Sequence, residues 1–450
     1  MGLKLPEAFI DRIKNDLGAE AQEFLDVLKT DPPISIRLNP LRISTNELPN
    51  DAVIPWESQA CYLNERPSFT YDPSFHAGAY YVQEASSMIT GHVIDQIQDK
   101  HDWELVIDLC AAPGGKTTHA LSKLNKDVFV LANEVTSVRL GALRQNVIKW
   151  GHSNAAVINY PIDTIANTGI QADLLLIDAP CSGEGLFRKD HDAVDHWNAD
   201  NLRKCELRQT DIMSHAATLV KMGGYLIYST CTYNSGENIK QIVELLKSGY
   251  FEIEKINHEK SWGLTEIIEG EAIGYQCYPH KVRGEGFFIA LLKRTDKIPE
   301  NTNSHSFKPK SAFNALSKEE IILLPDFLST CINEIQIDKE GNMYYAPNAL
   351  QSQQQFMNIR PLFELGAMKG RDFIPAHGIS MLDEFKELYP KLELNKEQAI
   401  KYLKKDTFTI DNYEQKGWHY ATYLGNNIGL VKVLENRINN YLPVNLRILK

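Results

Sequence analysis

The sequence predicts an α/β protein built on a parallel, Rossmann-like sheet, with an N-terminal α/β extension and a C-terminal α+β region. Three observations carry that class. Short apolar runs between residues 101 and 296 (WELVIDLC, DVFVLANE, AAVIN, ADLLLIDA, GGYLIYSTC) are bounded by turn residues. Helical patterns lie between most of them, such as SVRLGALRQNVIKW stopped by Gly151. Apolar strands that alternate with helices form a parallel sheet covered on both faces.

The elements follow in chain order. Residues 1–100 form the N-terminal extension. Phe9, Ile10, Ile13 and Leu17 share one helical face, then Phe24, Leu25 and Leu28, until Pro32 and Pro33 end the helical region. ISIRLN reads as a strand, and DPSFHAGAYYVQEASSM leads into a helix through Ile89 and Val93. Within 101–296, FEIEKI and EGFFIALLKR add two further strands. Residues 297–311 are polar, contain Pro and read as a linker. Residues 312–450 make one or two small α+β units.

Composition narrows the function classes. With 43% hydrophobic and 23% charged residues, the chain reads as a soluble globular protein. It has no apolar run of about 18 residues, so a membrane span is not expected. The first residues carry acids and no apolar signal core, which argues against a secretory leader. Seven cysteines with no C-x-x-C pair argue against a disulfide framework or a thiolate metal site, and point to a reducing, cytoplasmic location. A net charge of -11 excludes a generally basic nucleic-acid coat. The last fifty residues are the exception, with eight Lys/Arg against four acids, a weak pointer to a polyanionic partner.

In an open α/β sheet, ligands bind beyond the carboxyl ends of the strands. VIDLCAAPGGKTTHAL ends a strand at Asp108 or Leu109 and turns through Cys110, Ala111, Ala112, Pro113, Gly114 and Gly115 into a helix at Lys116. Small residues let the backbone approach a ligand, and the helix start offers free N–H groups. A P-loop would need Gly six places before Lys116, where Cys110 stands, and G-x-G-x-x-G is absent. Glu134 ends the next strand and can accept from both hydroxyls of a ribose. Asp163, in VINYPIDTIA, is a candidate partner for an adenine amino group. A nucleoside ligand without a phosphate lysine fits S-adenosylmethionine better than ATP or NAD.

Two cysteines follow two more strands. DLLLIDAPCSGEG sets Asp178, Pro180 and Cys181 past one, and YLIYSTCTYNSGEN sets Cys231 past the next. A thiolate can add to C6 of a cytosine, with protonation at N3, and so turn the unreactive C5 into a nucleophile toward a methyl sulfonium. Asp178 is placed to hydrogen-bond N3 and the amino group, and a base must then remove the C5 proton. On this reading the two thiols are interchangeable.

These segments resemble the Sun-type (NSUN) family of RNA 5-cytosine methyltransferases, closest to its bacterial RsmF-like branch. AGAYYVQEASSM, LCAAPGGKTTHAL, ANEVTSVRLGALRQNVIKWG, IDAPCSGEGLFRKD, YSTCTYNSGENI and YPHKVRGEGFFIALLKR each resemble a family segment, in the family's order. PLFELGAMKGRDFIPAHG and GLVKVLENRINNYLPVNLR are similar to the branch's PUA-like module, with fewer Gly and Lys in ENRINNYLPVN than is usual there. The resemblance implies a class I (Rossmann-like) S-adenosylmethionine-dependent methyltransferase domain and a C-terminal PUA-like module. It implies Cys231 as the nucleophile at C6 and Cys181 as an aid to product release. It implies that Cys110 through Lys116, Glu134, Asp163 and Asp178 line the cofactor site, with Arg139 as a weaker candidate. Arg188 and Lys189 would meet phosphates or form a solvated pair. The implied substrate is structured RNA, foremost 16S ribosomal RNA, either free or within the small subunit. Transfer RNA, or an assembly factor whose chemistry is dispensable, are the alternatives.

Overall fold

The computed structural model describes residues 4–43, 50–98, 102–295, 313–410 and 415–449, so the expected linker 297–311 lies outside the described residues. The N-terminal helices are α1 (Glu7–Leu17) and α2 (Ala21–Val27). Their apolar stripe buries Phe9, Ile13 and Phe24 against Phe187, Tyr233 and Tyr278 of the catalytic domain. Phe9 meets Phe187 at 5.0 Å and Phe24 meets Tyr233 at 4.9 Å, both edge-on. Strands β1 (Ile34–Leu38), β2 (Asn50–Ile54), β3 (Glu57–Leu63) and β4 (Tyr80–Val82) form a sheet in the order β2-β3-β1-β4. The short helix α3 (Pro73–His76), capped by Asp72, precedes β4, and α4 (Ile89–Gln98) follows it.

The catalytic sheet contains β5 (Leu105–Asp108), β6 (Phe129–Asn133), β7 (Ala155–Ile158), β8 (Ala172–Asp178) and β9 (Val220–Thr230). These run parallel in the order β9-β8-β5-β6-β7. The sheet is mixed, not parallel throughout. Strand β13 (Phe287–Arg294) lies antiparallel to β9, and its other edge pairs with β10 (Phe251–Glu254) and with β12 (Ala272–Cys277). The hairpin of β11 (Thr265–Glu269) and β12 has no counterpart in the expected elements. Its first strand, TEIIE, is a sheet edge with Glu on either side of two apolar residues, so the run is too short and too charged to stand out.

Helices α5 (Gly115–Lys123), α6 (Ser137–Trp150), α7 (Ile162–Ala166), α8 (His191–His196) and α9 (Ala199–Ser214) lie within the crossovers between β5 and β9. Gly151, at φ 86, closes α6 where the sequence stops its pattern. Beyond residue 312 stand a five-stranded and a four-stranded sheet, which share a core of Phe363, Leu365, Tyr420 and Leu430. This region docks onto the rest through Arg42, which donates to the Met381 carbonyl at 2.6 Å, and through the Asp383 N–H to Gly151 O. No helix among the described residues is long and apolar enough to cross a membrane.

Two buried side chains weld the N-terminal sheet to α5. Arg37 is fully buried, with no carboxylate in hydrogen-bond contact among the described residues. It donates to Gln83 Oε1 (2.9 Å), Thr118 Oγ1 (2.7 Å), Ser122 Oγ (3.1 Å) and Gly115 O (3.3 Å), and stacks 4.5 Å over Trp150. Burial lowers its pKa only to about 9, so it stays charged at neutral pH. Charged donors to neutral acceptors contribute about 1.5–3 kcal/mol each when paired and cost as much when orphaned. Arg37→Met is therefore expected to lower stability by about 2–4 kcal/mol and to weaken cofactor binding, because it frees the helix that opens the cofactor loop. Thermal unfolding and cofactor titration check both.

Glu57 is the second. Burial raises its pKa, but His119 at 2.6 Å and Lys123 at 2.9 Å override this and hold it at about 2. Burial keeps His119 neutral, with a pKa of about 4, so the lasting charge partner is Lys123. A depressed carboxyl stabilises the fold above its unfolded pKa of about 4.3 and loses that contribution as pH falls toward 2. Acid unfolding of Glu57→Gln is expected to be shallower than wild type between those two values, read by circular dichroism.

Candidate active site

All five parallel strands of the catalytic sheet deliver a residue to one end. β5 ends at Asp108, whose buried carboxyl accepts from Thr117 Oγ1 at 2.6 Å and is pushed by burial up to about 7. The following loop is pinned from α6: Arg139 donates to Ala112 O, and Asn146 donates to Pro113 O at 2.8 Å. Gly114, at φ 109, makes the left-handed turn that starts α5. β6 ends beside Glu134, which is buried, accepts from the Thr136 N–H at 2.7 Å and pairs with Arg139 at 3.3 Å. Asp163 stands exposed in the first turn of α7, after β7. Asp178 ends β8, paired with Lys116 at 2.7 Å and accepting from Ser229 Oγ at 2.9 Å. Cys181 and Cys231 follow β8 and β9, and their sulfurs are 3.1 Å apart.

These ends enclose a cavity of about 830 Å³. Cys110, Ala112, Glu134, Arg139, Asp163, Asp178, Cys181 and Cys231 line it. Ala111, Pro113, Gly114, Gly115 and Lys116, expected in the same wall, are not among the lining residues. The loop shows the cavity only its first turn, and Lys116 reaches it through Asp178. Arg139 is not a simple surface charge, because its guanidinium lies between the loop and Glu134. Arg188 contradicts both expectations for it. Its side chain is buried and held by Glu285 (2.9 Å) and Gly284 O (2.9 Å), so it is neither solvated nor free for phosphate. Lys189 is exposed.

The two thiols are not equivalent. Cys181 also receives the Cys231 N–H at 3.3 Å. Its pKa is raised well above that of a free thiol, first by the hydrogen bond with Cys231 and then by burial. Its loop is held from below by Glu237, which accepts from the Ser182 N–H at 2.8 Å and from Gln209 Nε2 at 3.1 Å, while Gln209 also donates to Pro180 O. The sequence reading passed over Glu237, although it stands in NSGEN directly after the second cysteine motif. It also passed over Arg208, Asp211 and His215 on the far wall. Their i, i+3, i+7 spacing, polar along one face of α9 and just beyond it, was the available signal.

The residues present fit S-adenosylmethionine. Glu134 offers a buried carboxylate where a ribose would stand, and Val135, Pro161 and Ile162 give apolar walls for a flat base beside Asp163. No free lysine awaits a phosphate, since Lys116 is taken by Asp178. No cluster of three metal-ligating side chains occurs among the described residues.

Known proteins agree in architecture and sequence. The family model for 16S rRNA methyltransferase RsmB/F matches residues 96–293, the model for the N-terminal domain of 16S rRNA methyltransferase RsmF matches 5–85, and the RsmF PUA domain matches 389–448. A ribosomal RNA small subunit methyltransferase F from Psychromonas ingrahamii is 29% identical over 98% of this chain and 96% of its own. Its counterpart from Shewanella loihica is 28% identical over 99% and 96%. The crystal structure of a methyltransferase homolog from Pyrococcus horikoshii superposes with TM-score 0.56 at 26% identity, over 65% of this chain and 96% of that one. With three models in chain order and relatives aligned along nearly its whole length, the chain belongs to the RsmB/F family of 16S rRNA methyltransferases, in its RsmF-like branch, and is an S-adenosylmethionine-dependent enzyme.

Proposed function

We propose that the chain methylates C5 of a cytosine in 16S ribosomal RNA, in the small subunit and in the cytoplasm, through a covalent bond between Cys231 and C6. The observation that carries this reading is the pair of sulfurs 3.1 Å apart in one cavity with Asp178.

The base must leave its stack to expose C6, which costs a few kcal/mol and least when it is unpaired. The Cys231 sulfur bonds to C6, the C5=C6 pair shifts toward N3, and N3 takes up the proton that the thiol gave up. Cys181 keeps its own proton and donates to the Cys231 sulfur. Asp178, fixed by Lys116 and Ser229, accepts from the protonated N3 and the amino group. S-adenosylmethionine, when bound, supplies an electrophilic methyl. C5, now electron-rich, forms the new carbon–carbon bond to that methyl as the methyl–sulfur bond breaks and its electron pair leaves with the thioether sulfur. The C5 proton then passes to solvent water acting as base, C5=C6 is restored as the C6–S bond breaks, and the departing Cys231 thiolate takes back the N3 proton, with Cys181 assisting at the leaving sulfur. Arg139, Cys110, Ala112, Glu134 and Asp163 hold the cofactor side, on the loop and wall that line the cavity.

The test uses purified protein, 16S rRNA and cofactor labelled in its methyl group. Nuclease digestion is expected to return the label as 5-methylcytidine. Label in any other nucleoside contradicts the proposal.

A further inference from the structure

A second cavity, of about 1030 Å³, lies apart from the one that holds the cysteines. It opens where the N-terminal extension, α6 and the C-terminal region meet. Its wall carries Lys149, Arg447, His76 and His377 against a single carboxylate among the described residues, Glu364. Burial first, then Asp338, pushes Glu364 toward its neutral form.

Lys149 is the unusual member. Its ammonium lies 3.7 Å from the centre of the Phe75 ring. Burial alone pulls its pKa down to about 8, with no carboxylate near enough to oppose the shift. Gly78, at φ +70, lets the chain after α3 lie against the end of α6, where a Cβ would come 2.1 Å from Lys149 O. The half-buried ammonium thus pairs with no carboxylate among the described residues. Beside it His377 Nδ1 is buried with no hydrogen-bond partner. A partly desolvated cation is held most favourably when an anion from outside the chain neutralises it.

The cavity is tied to the active site by α6. Arg139 lines the cysteine cavity, while Ala142, Asn146 and Lys149 line this one. The four are spaced i, i+3, i+7 and i+10, one stripe of a helix, which places Lys149 about 15 Å along the axis from Arg139. Asn146 also donates to Pro113 O in the cofactor loop.

We infer that this cavity takes an unstacked nucleotide of the substrate RNA, with its phosphate on Lys149 and its base against the Phe75 side of the wall. The inference rests on the RNA reading above, and it adds a second contact outside the methyl-transfer cavity. Stacking on an aromatic ring and a phosphate on an ammonium are together how single strands are held.

The experiment measures binding of a 16S rRNA transcript to the full chain across salt concentrations, beside cofactor binding and steady-state kinetics. Lys149→Gln is expected to weaken RNA roughly tenfold and to reduce the salt slope by about 0.7. It should raise KM for RNA, leave kcat and cofactor affinity unchanged, and be rescued by Lys149→Arg. RNA carrying 4-thiouridine should crosslink in the wild-type chain to the segment around Phe75 or to residues 441–449. A folded Lys149→Gln with wild-type affinity and slope overturns the inference. So do crosslinks found only elsewhere, which decides the matter if the variant fails to fold. Nucleoside monophosphate that binds through Lys149 while RNA affinity is untouched overturns it in favour of a small-molecule site. A product other than 5-methylcytidine with the crosslink intact sinks the cytosine chemistry alone.

Discussion

Cys231→Ala is expected to lose methyl transfer by on the order of 10³-fold or more, while RNA and cofactor still bind. The expectation follows from the geometry around the two sulfurs. Cys231 follows β9 directly and faces the cavity, with the Cys181 sulfur 3.1 Å away. Without an addition at C6, C5 of cytosine has no means of attacking an electrophile. Single-turnover assays with labelled cofactor read the loss. Ordinary turnover would show that the nucleophile is elsewhere.

Cys181→Ala carries the second large effect, of a different kind. The adduct forms, because Cys231 remains, but its breakdown lacks the thiol that sits against the leaving sulfur. A covalent protein–RNA species is expected to accumulate on a denaturing gel in the presence of cofactor, with turnover strongly reduced. Normal turnover with no such species would remove Cys181 from product release. Glu237 offers a milder version: Glu237→Gln keeps the volume but turns one acceptor of the Ser182 N–H and Gln209 into a donor. It is a positioning residue, so the adduct should appear more weakly.

The comparison of sequence with structure follows from what a linear pattern can carry. The apolar runs end where the strands end, at Asp108, Asn133 and Asp178, because each polar side chain there needs partners in the loops beyond the sheet: Thr117 for Asp108, the Leu109 carbonyl for Asn133 and Lys116 for Asp178. That much placed Glu134, Asp178 and the thiols at one sheet end. Spacing could not rank the thiols, since the difference lies in a hydrogen bond across two strands. Nor could it show that Arg188 is spent on Glu285, about a hundred residues on. FEIEKI and EGFFIALLKR are legible as strands, but that β10 and β13 run antiparallel is not, because an apolar run does not state its direction. Arg37 and Lys149, each a lone cation in its stretch, become unusual only once the fold has buried them.

The measurement that bears most directly on the account uses RNA in which cytidine is replaced by 5-fluorocytidine. Fluorine at C5 leaves no proton to remove, so the bond between cysteine and C6 cannot be undone once the methyl has moved. After incubation with cofactor and proteolysis, mass spectrometry is expected to find the methylated nucleotide on the peptide that contains Cys231. An adduct on Cys181 instead, or sustained methylation of ordinary RNA with no adduct on the fluorinated one, would contradict it.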